Sequence, residues 1–481
     1  MKLLIWEFMN LRKMNNYINN DTICAISTPQ GVGAIAVVRM SGKDSLSIVT
    51  KIFRSVSNAD FQHGKSSFGD IFVGDEIIDE VVVTYFKSPK TYTGEDIVEI
   101  ACHGSRYIQQ RILELLVLSG ARLAMAGEFT FRAYRNGKMD LAQSEAVSDL
   151  IFSENKKSHD VAMAQLKGRY SSRIKEMRAK LVDLLALLEL ELDFGEEDVE
   201  FAKRDDFLSL LNDIDNELVT MIKSFELGNV LRNGIPVTII GKPNVGKSTL
   251  LNCLLNEEKA IVSEVPGTTR DVIEDIININ GYSFRFIDTA GLHKTDDVVE
   301  NIGIERTKER INKAKIVLHI FDAKNVDKDI LDTEIQEFKG FISREDSGAD
   351  PIDSKRWLMV GNKVDEADMT PEWAGDIKED IVFISAKRQK NIQSLIDKLC
   401  SYISAEGIED TSIVTNVRHI EAMRNALNYI RIAKQSFGDD VPTDLISIDV
   451  HQASYYLGSI VGEITNNELL DVIFGRFCIG K

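Results

Sequence analysis

The stretch GKPNVGKS occupies residues 241–248, between the apolar run IPVTII (235–240) and the helix-forming run TLLNCLL (249–255). It matches the pattern G-x-x-x-x-G-K-[ST] in the context that pattern needs: a strand, a glycine-rich turn and a helix start. Glycines let backbone N–H groups close around phosphate oxygens at a helix N-terminus. Lys247 reaches the β- and γ-phosphates, and the Ser248 hydroxyl can ligate Mg²⁺. Asn244, Val245, Gly246 and Thr249 complete the loop. Four more apolar runs follow: FRFID (284–288), KIVLHIFDA (315–323), RWLMVGNKVD (356–365) and IVFISAK (381–387). Each ends in a loop or helix, a βα repeat that predicts an α/β domain over 231–405 with a mainly parallel sheet.

Chemistry-bearing residues recur at the ends of these runs. DTAG (288–291) ends FRFI, so the Asp288 carboxylate can lie near the metal and the Gly291 N–H can meet the γ-phosphate, with Thr289 and Ala290 between them. PGTTRD (266–271) offers Thr269 as a second hydroxyl ligand for Mg²⁺. NKVD (362–365) brings Asn362, Lys363 and Asp365, and the Asp365 carboxylate can accept both the guanine N1–H and the exocyclic amine. Adenine offers no such pair, and a site built on buried polar pairing discriminates by roughly 10⁴ or more. SAK (385–387) supplies Ser385, Ala386 and Lys387, with the Ala386 N–H available to the guanine O6. Five elements in this order resemble the G motifs of Ras-like P-loop GTPases. One position departs from the Ras pattern. A glutamine after D-x-x-G orients the attacking water there, and this chain has Leu292 followed by His293.

The flanks differ from this domain. Residues 21–135 alternate strand-like runs, TICAIS (22–27), GAIAVVRM (33–40), EVVVTYF (80–86) and DIVEIAC (96–102), with an amphipathic helix RYIQQRILELLVLSG (106–120). They predict an α+β domain. From about 140 the period becomes helical: Ile174, Met177, Leu181, Leu184, Leu185, Leu188 and Leu192 form one apolar stripe. Residues 156–180 carry eight Lys/Arg against two acids, and 181–200 carry eight acids and no base. Both are read as solvated helix faces, the basic half with RNA or a partner as the alternative. After 405 the helical pattern resumes with Ile413, Val417, Ile420, Leu427 and Ile430 and a second helix over Leu445–Ile464. The expected organisation is an extension over 1–13, an N-terminal domain over 14–135, and one all-α domain from 136–230 and 406–481 with the α/β domain inserted.

The 481 residues are 44% hydrophobic and 27% charged, an ordinary globular composition. A net charge of −18 argues against a nucleic-acid coat protein. Cys24, Cys102, Cys253, Cys400 and Cys478 are scattered without zinc spacing, which favours a reducing compartment. MKLLIWEFMNLRKM lacks a cleavage site and is interrupted by Glu7, so a secretory signal is not expected, and no run approaches the ~20 apolar residues of a membrane span. The expected location is the cytoplasm.

With TPQGVGAIAVVRMSG (28–42), TYTGEDIVEIACHG (91–104), GEFTFRAYRNGKMDLAQSEAVSDLI (127–151) and the terminal FCIGK (477–481), the chain resembles the MnmE (TrmE) family of tRNA uridine-modification GTPases over about 20–481. The resemblance implies an N-terminal domain that binds 5,10-methylene- or 5-formyl-tetrahydrofolate through Arg39, Glu99, Lys138 and Lys481 and mediates homodimerisation. Read alone, those four are surface charges. It places Cys478 near the folate, as a nucleophilic or redox thiol or as a packing group; a prenylation reading is set aside because lysine is not a usual last residue. It implies K⁺ held by Asn244, Ser263, Val265 and Thr268, in a loop with Glu264, Pro266 and Gly267 that also meets GTP. It makes Glu300 the residue that places the attacking water; read alone, Glu300 is an acid at a helix start. The implied reaction attaches an aminomethyl or carboxymethylaminomethyl group at C5 of the wobble uridine, position 34, of certain tRNAs. The implied partner is the FAD-dependent protein MnmG, in a heterotetramer, with GTP hydrolysis driving association of paired G domains. The alternatives are an Era/Der-like ribosome-assembly GTPase and a membrane-remodelling GTPase. The first is expected to carry a basic RNA-binding domain, and the second needs a membrane-binding segment.

Overall fold

A computed structural model describes residues 21–29, 31–56, 61–193, 204–255, 275–287, 300–326, 328–341, 355–365, 380–404, 413–439, 441–465, 467–475, 477 and 480. The chain divides into two compact units, one of residues 1–148, 165–211 and 425–481, the other of 149–164 and 212–424. It is a multidomain protein that combines α+β, all-α and α/β architecture.

The first unit holds a seven-stranded sheet: β1 (Ile23–Ile26), β2 (Ile35–Ser41), β3 (Phe53–Ser55), β4 (Lys65–Val73), β5 (Glu76–Phe86), β6 (Ile97–His103) and β7 (Arg122–Leu123), in the order β3-β4-β5-β6-β2-β1-β7. Its pairings are antiparallel except β1–β7. Val38, Met40, Val83, Val98 and Ile100 alternate inward, and α1 (Ser45–Val49) and α2 (Arg106–Leu118) cover them with Ile48, Val49, Ile112, Leu115 and Leu116. β4 is an addition to the sequence reading. KSSFGDIFV carries small and polar residues where a strand usually shows β-branched ones, yet it hairpins with β5 across Gly74, whose φ of 56° suits the tight turn.

The same unit contains α3 (Glu128–Arg135), most of α4 (Leu141–Ile151), α6 (Arg169–Asp193), α13 (Thr443–Val461) and α14 (Asn467–Phe474). Within α6, Ile174, Met177, Leu181, Leu184 and Leu188 are buried as the period requires, and the helix packs along α13. Leu185 is only half-buried. α14 lays Phe474 on Phe131 and Tyr134 of α3.

The second unit is built on a six-stranded sheet of β8 (Ile235–Ile240), β9 (Asp275–Ile279), β10 (Tyr282–Phe286), β11 (Ile316–Asp322), β12 (Arg356–Asn362) and β13 (Asp380–Phe383), ordered β13-β12-β11-β8-β10-β9. All pairings are parallel except β9–β10. β11 and β12 are buried almost throughout because helices cover both faces. Leu250, Leu251 and Leu254 of α8 (Lys247–Leu255) and Leu395, Ile396 and Leu399 of α11 (Ile392–Ser404) pack on one face. Ile311 of α9 (Glu300–Lys313) and Leu331 and Ile335 of α10 (Lys328–Lys339) take the other. β9 is absent from the sequence reading, although Asn280 and Gly281, at φ 51° and 85°, form a tight hairpin turn into β10. Ile413, read as the start of a helical stripe, instead precedes α12 (Val417–Gly438) and packs into the core of this unit, while Val417 is exposed. The remaining helices are α5 (Lys156–Leu166) and α7 (Arg204–Asn233).

Candidate functional site

In the second unit the chain leaves β8 toward β10 on one side and continues to β11 on the other. Such a reversal opens a crevice at the carboxyl ends of the strands, where open α/β sheets take ligands. Residues 241–248 lie there. Gly241 has φ 142°, and a Cβ on it would stand 2.1 Å from the Ile320 carbonyl oxygen, so the loop turns against β11 only as glycine. Asn244 takes the left-handed conformation at φ 64°. Lys247 Nζ donates to the carbonyls of Gly241 (2.8 Å) and Lys242 (2.7 Å), folding the ammonium back over the loop. Burial, with Arg310 nearby, lowers its pKa. Ser248 is half-buried at the start of α8, and Thr249 is exposed.

Asn362 ties three motifs together. Its Nδ2 donates to the Val245 carbonyl at 2.8 Å, and its Oδ1 accepts from the Ala386 N–H at 3.0 Å. A Cβ on Gly246 would come within 2.2 Å of Asn362 Nδ2, so this glycine makes room for the bridge. Lys363, at φ 70°, pairs with Asp322 at 2.9 Å. Burial raises the Asp322 pKa, but the bonds from Lys363, Lys324 and Asn325 outweigh it and leave the carboxyl below its ordinary range. The Ser385 hydroxyl bond, with a backbone hydrogen bond and the charges of Arg388 and Lys387, outweighs desolvation and holds the Asp365 carboxyl low. Ser385 is fully buried and Lys387 exposed.

Several neighbours of the site were not legible in the sequence. Lys242 pairs with Glu334 on α10, and Glu334 also lies 3.3 Å from Nε2 of the fully buried His319 on β11. Asp322 had one available signal, an acid at the carboxyl end of a buried parallel strand. Glu334 had none, since its role depends on which face α10 turns inward.

Of the predicted nucleotide and metal set, Ser263, Glu264, Val265, Pro266, Gly267, Thr268, Thr269, Asp288, Thr289, Ala290 and Gly291 lie outside the described residues. Glu300 opens α9, but its side chain is outside them too. Ser248 offers a hydroxyl oxygen and Asn244 an amide oxygen, the hard oxygen donors that such cations take. Among the described residues no group of three or more His, Cys, Asp and Glu forms a metal cluster.

The first unit assembles a second constellation. Arg39 on β2 faces Glu99 on β6 across the strand pair and donates to Glu99 Oε1 through Nε (2.9 Å) and Nη2 (2.7 Å). The Tyr92 and Phe129 rings each lie 5.9 Å from its guanidinium, which restricts that side chain. Lys138 donates to the Pro89 carbonyl at 3.0 Å, in the segment that carries Tyr92. Cys478 and Lys481 lie outside the described residues, but Gly480 between them is placed. Its carbonyl accepts from the Ser27 hydroxyl at 3.1 Å, beside β1, the neighbour of β2. At φ 100°, a Cβ on Gly480 would meet the Ile26 carbonyl at 2.2 Å. Gly480→Val is therefore expected to release the tail without unfolding the protein. Carboxypeptidase should trim the variant at least about tenfold faster, as expected when local protection falls by roughly 1.4 kcal/mol. An unchanged trimming rate would mean that this contact does not hold the tail.

A loop of the phosphate-binding pattern, a bridging Asn362 and an Asn-Lys-x-Asp motif ending at Asp365, at the carboxyl edge of a mainly parallel sheet, define a P-loop nucleotide-binding protein. A family model described as the MnmE helical domain matches residues 141–478, and one described as the GTP-binding protein TrmE N-terminus matches residues 22–138. The protein named tRNA modification GTPase MnmE in Flavobacterium psychrophilum is 47% identical over 471 residues, covering 96% of this chain and 100% of its own. The protein of that name in Flavobacterium johnsoniae is 46% identical over 477 residues, with 96% and 100% covered. The one in Cytophaga hutchinsonii is 44% identical over 464 residues, with 96% and 98% covered. The chain belongs to the MnmE family.

Proposed function

We propose that this protein hydrolyses GTP and acts in tRNA modification, as the names of its relatives state for them. The observation that carries the GTP reading is the Asn362 bridge, which links the phosphate loop to the base-recognition motifs within one unit. The match of residues 22–138 to the TrmE N-terminus favours this reading over an Era/Der-like assembly role.

In this reading Lys247 leaves the Gly241 and Lys242 carbonyls for the β- and γ-phosphates. Asp365, positioned by Ser385, reads the guanine edge. Ser248 with Thr269 holds Mg²⁺, with Asp288 beside it, and Asn244 with Ser263, Val265 and Thr268 holds K⁺. These cations, when bound, supply positive charge beside the transferring phosphoryl group. Glu300 orients the attacking water, a task Leu292 cannot perform. The ammonium and guanidinium groups of Lys138, Lys481 and Arg39 face the folate carboxylates, and Glu99 pairs with the pterin edge. The domain limits proposed above, the homodimer, the heterotetramer with the FAD-dependent MnmG protein, the folate one-carbon donor, the wobble-uridine target and the cytoplasmic location complete the proposal. Among the described residues no helix is long and apolar enough to cross a membrane.

The test is GTP turnover by the purified full chain in K⁺ and in Na⁺, with association followed by sizing. Faster turnover and association in K⁺ are expected, together with a loss of about 10²-fold in Glu300→Ala while GTP binding persists. Equal turnover in both salts would remove K⁺ from the mechanism, and an unimpaired Glu300→Ala would remove Glu300.

A further inference from the structure

A guanine base presents two donors on one edge, and an aspartate reads them with its two carboxylate oxygens. In this chain another donor reaches that carboxylate: Arg388 Nε lies 3.1 Å from Asp365 Oδ2. The two partners differ sharply in exposure. The Asp365 side chain is 8% exposed and that of Arg388 is 73% exposed. The arginine therefore approaches from solvent and lies against the acid.

Its backbone is fixed independently of that contact. Ser385 and Lys390 exchange two backbone hydrogen bonds, of 3.1 and 3.0 Å, closing the turn that contains Arg388. The Arg388 N–H donates to the Ser385 hydroxyl at 3.2 Å. Gln389 and Asn391 both take left-handed conformations, at φ 53° and 61°. The turn anchors the base of the side chain beside the residue that positions Asp365, and the long stem carries the guanidinium back across the carboxylate.

We propose that Arg388 is an internal competitor for the guanine-reading carboxylate and sets the rate and affinity with which guanine nucleotides enter. The proposal rests on the guanine-nucleotide reading of this site. The base must move the guanidinium aside before Asp365 can engage it, so only the open fraction of molecules captures nucleotide, and the apparent affinity falls by that fraction. The ion pair is part-exposed and belongs to the modest class, which sets the expected size at about two- to fivefold.

The test is stopped-flow association and dissociation of fluorescently labelled GDP, with ADP as competitor, on the full chain and on Arg388→Met and Arg388→Ala. Arg388→Met keeps the length of the stem and removes the donors. Both variants are expected to raise the association rate about two- to fivefold and leave dissociation unchanged. Added salt should narrow the gap to wild type, because it screens the wild-type pair. Wild-type protein that binds GDP no better than ADP would overturn the underlying reading. GDP selectivity with an unchanged association rate in both variants would overturn the role of Arg388 alone. Faster dissociation in the variants would also overturn it, because Arg388 would then be a clamp on bound base.

Discussion

Lys247→Ala is expected to lower GTP turnover by about 10²–10³-fold, the usual cost of removing one preorganised charge from a transition state. The loop already surrounds this ammonium with the Gly241 and Lys242 carbonyls, and α8 begins at the same residue. The variant should still fold, because Leu250, Leu251 and Leu254 hold α8 on the sheet from its other side. Phosphate release measured alongside circular dichroism separates the two effects. Turnover within threefold of wild type in a folded Lys247→Ala protein would contradict the assignment of this loop to phosphate binding.

The largest effect on stability is expected from Arg132→Met. Arg132 is fully buried and donates to the Asp21 carbonyl and carboxylate, to Glu95 and to Glu128, which is itself fully buried. Arg122 binds Asp21 and Glu128 from the other side. Methionine fills similar space but leaves these acids with too few donors, and breaking a buried pair from one side costs about 3–5 kcal/mol. Denaturant unfolding followed in the first unit should show the loss, and a change below 1 kcal/mol would contradict it. The network also fixes a direction with pH. Burial raises the Asp21 pKa, but Arg122 and Arg132 outweigh it and leave the carboxyl depressed. Its contribution is thus present above the unfolded carboxylate range near 4 and is lost as pH falls through the lower folded value.

The sequence exposed what is local and periodic. The strand–loop–helix around 241–248, the parallel strands buried on both faces and the apolar stripe of α6 follow from short-range pattern. β9 was legible in principle, from its Asn280–Gly281 turn, but DIINI carries polar residues that weaken its apolar signal. β4 was hidden because one face of its hairpin is open to solvent. The site divides along the same line. Motif residues such as Lys247 and Asp365 are marked by spacing alone. The Arg388–Asp365 and Lys242–Glu334 pairs are not, because they depend on loop conformation and on which helix face turns inward.

The docking of Gly480 beside Ser27 ties together positions 453 residues apart. During synthesis at about 5–20 residues per second, β1 emerges roughly 20–90 s before its tail partner. Throughout that interval the N-terminal sheet lacks this contact. The Ser27–Gly480 contact can form only after every residue between them has been made, whereas β1 to β6, with the Arg39–Glu99 pair, lie within the first 103 residues.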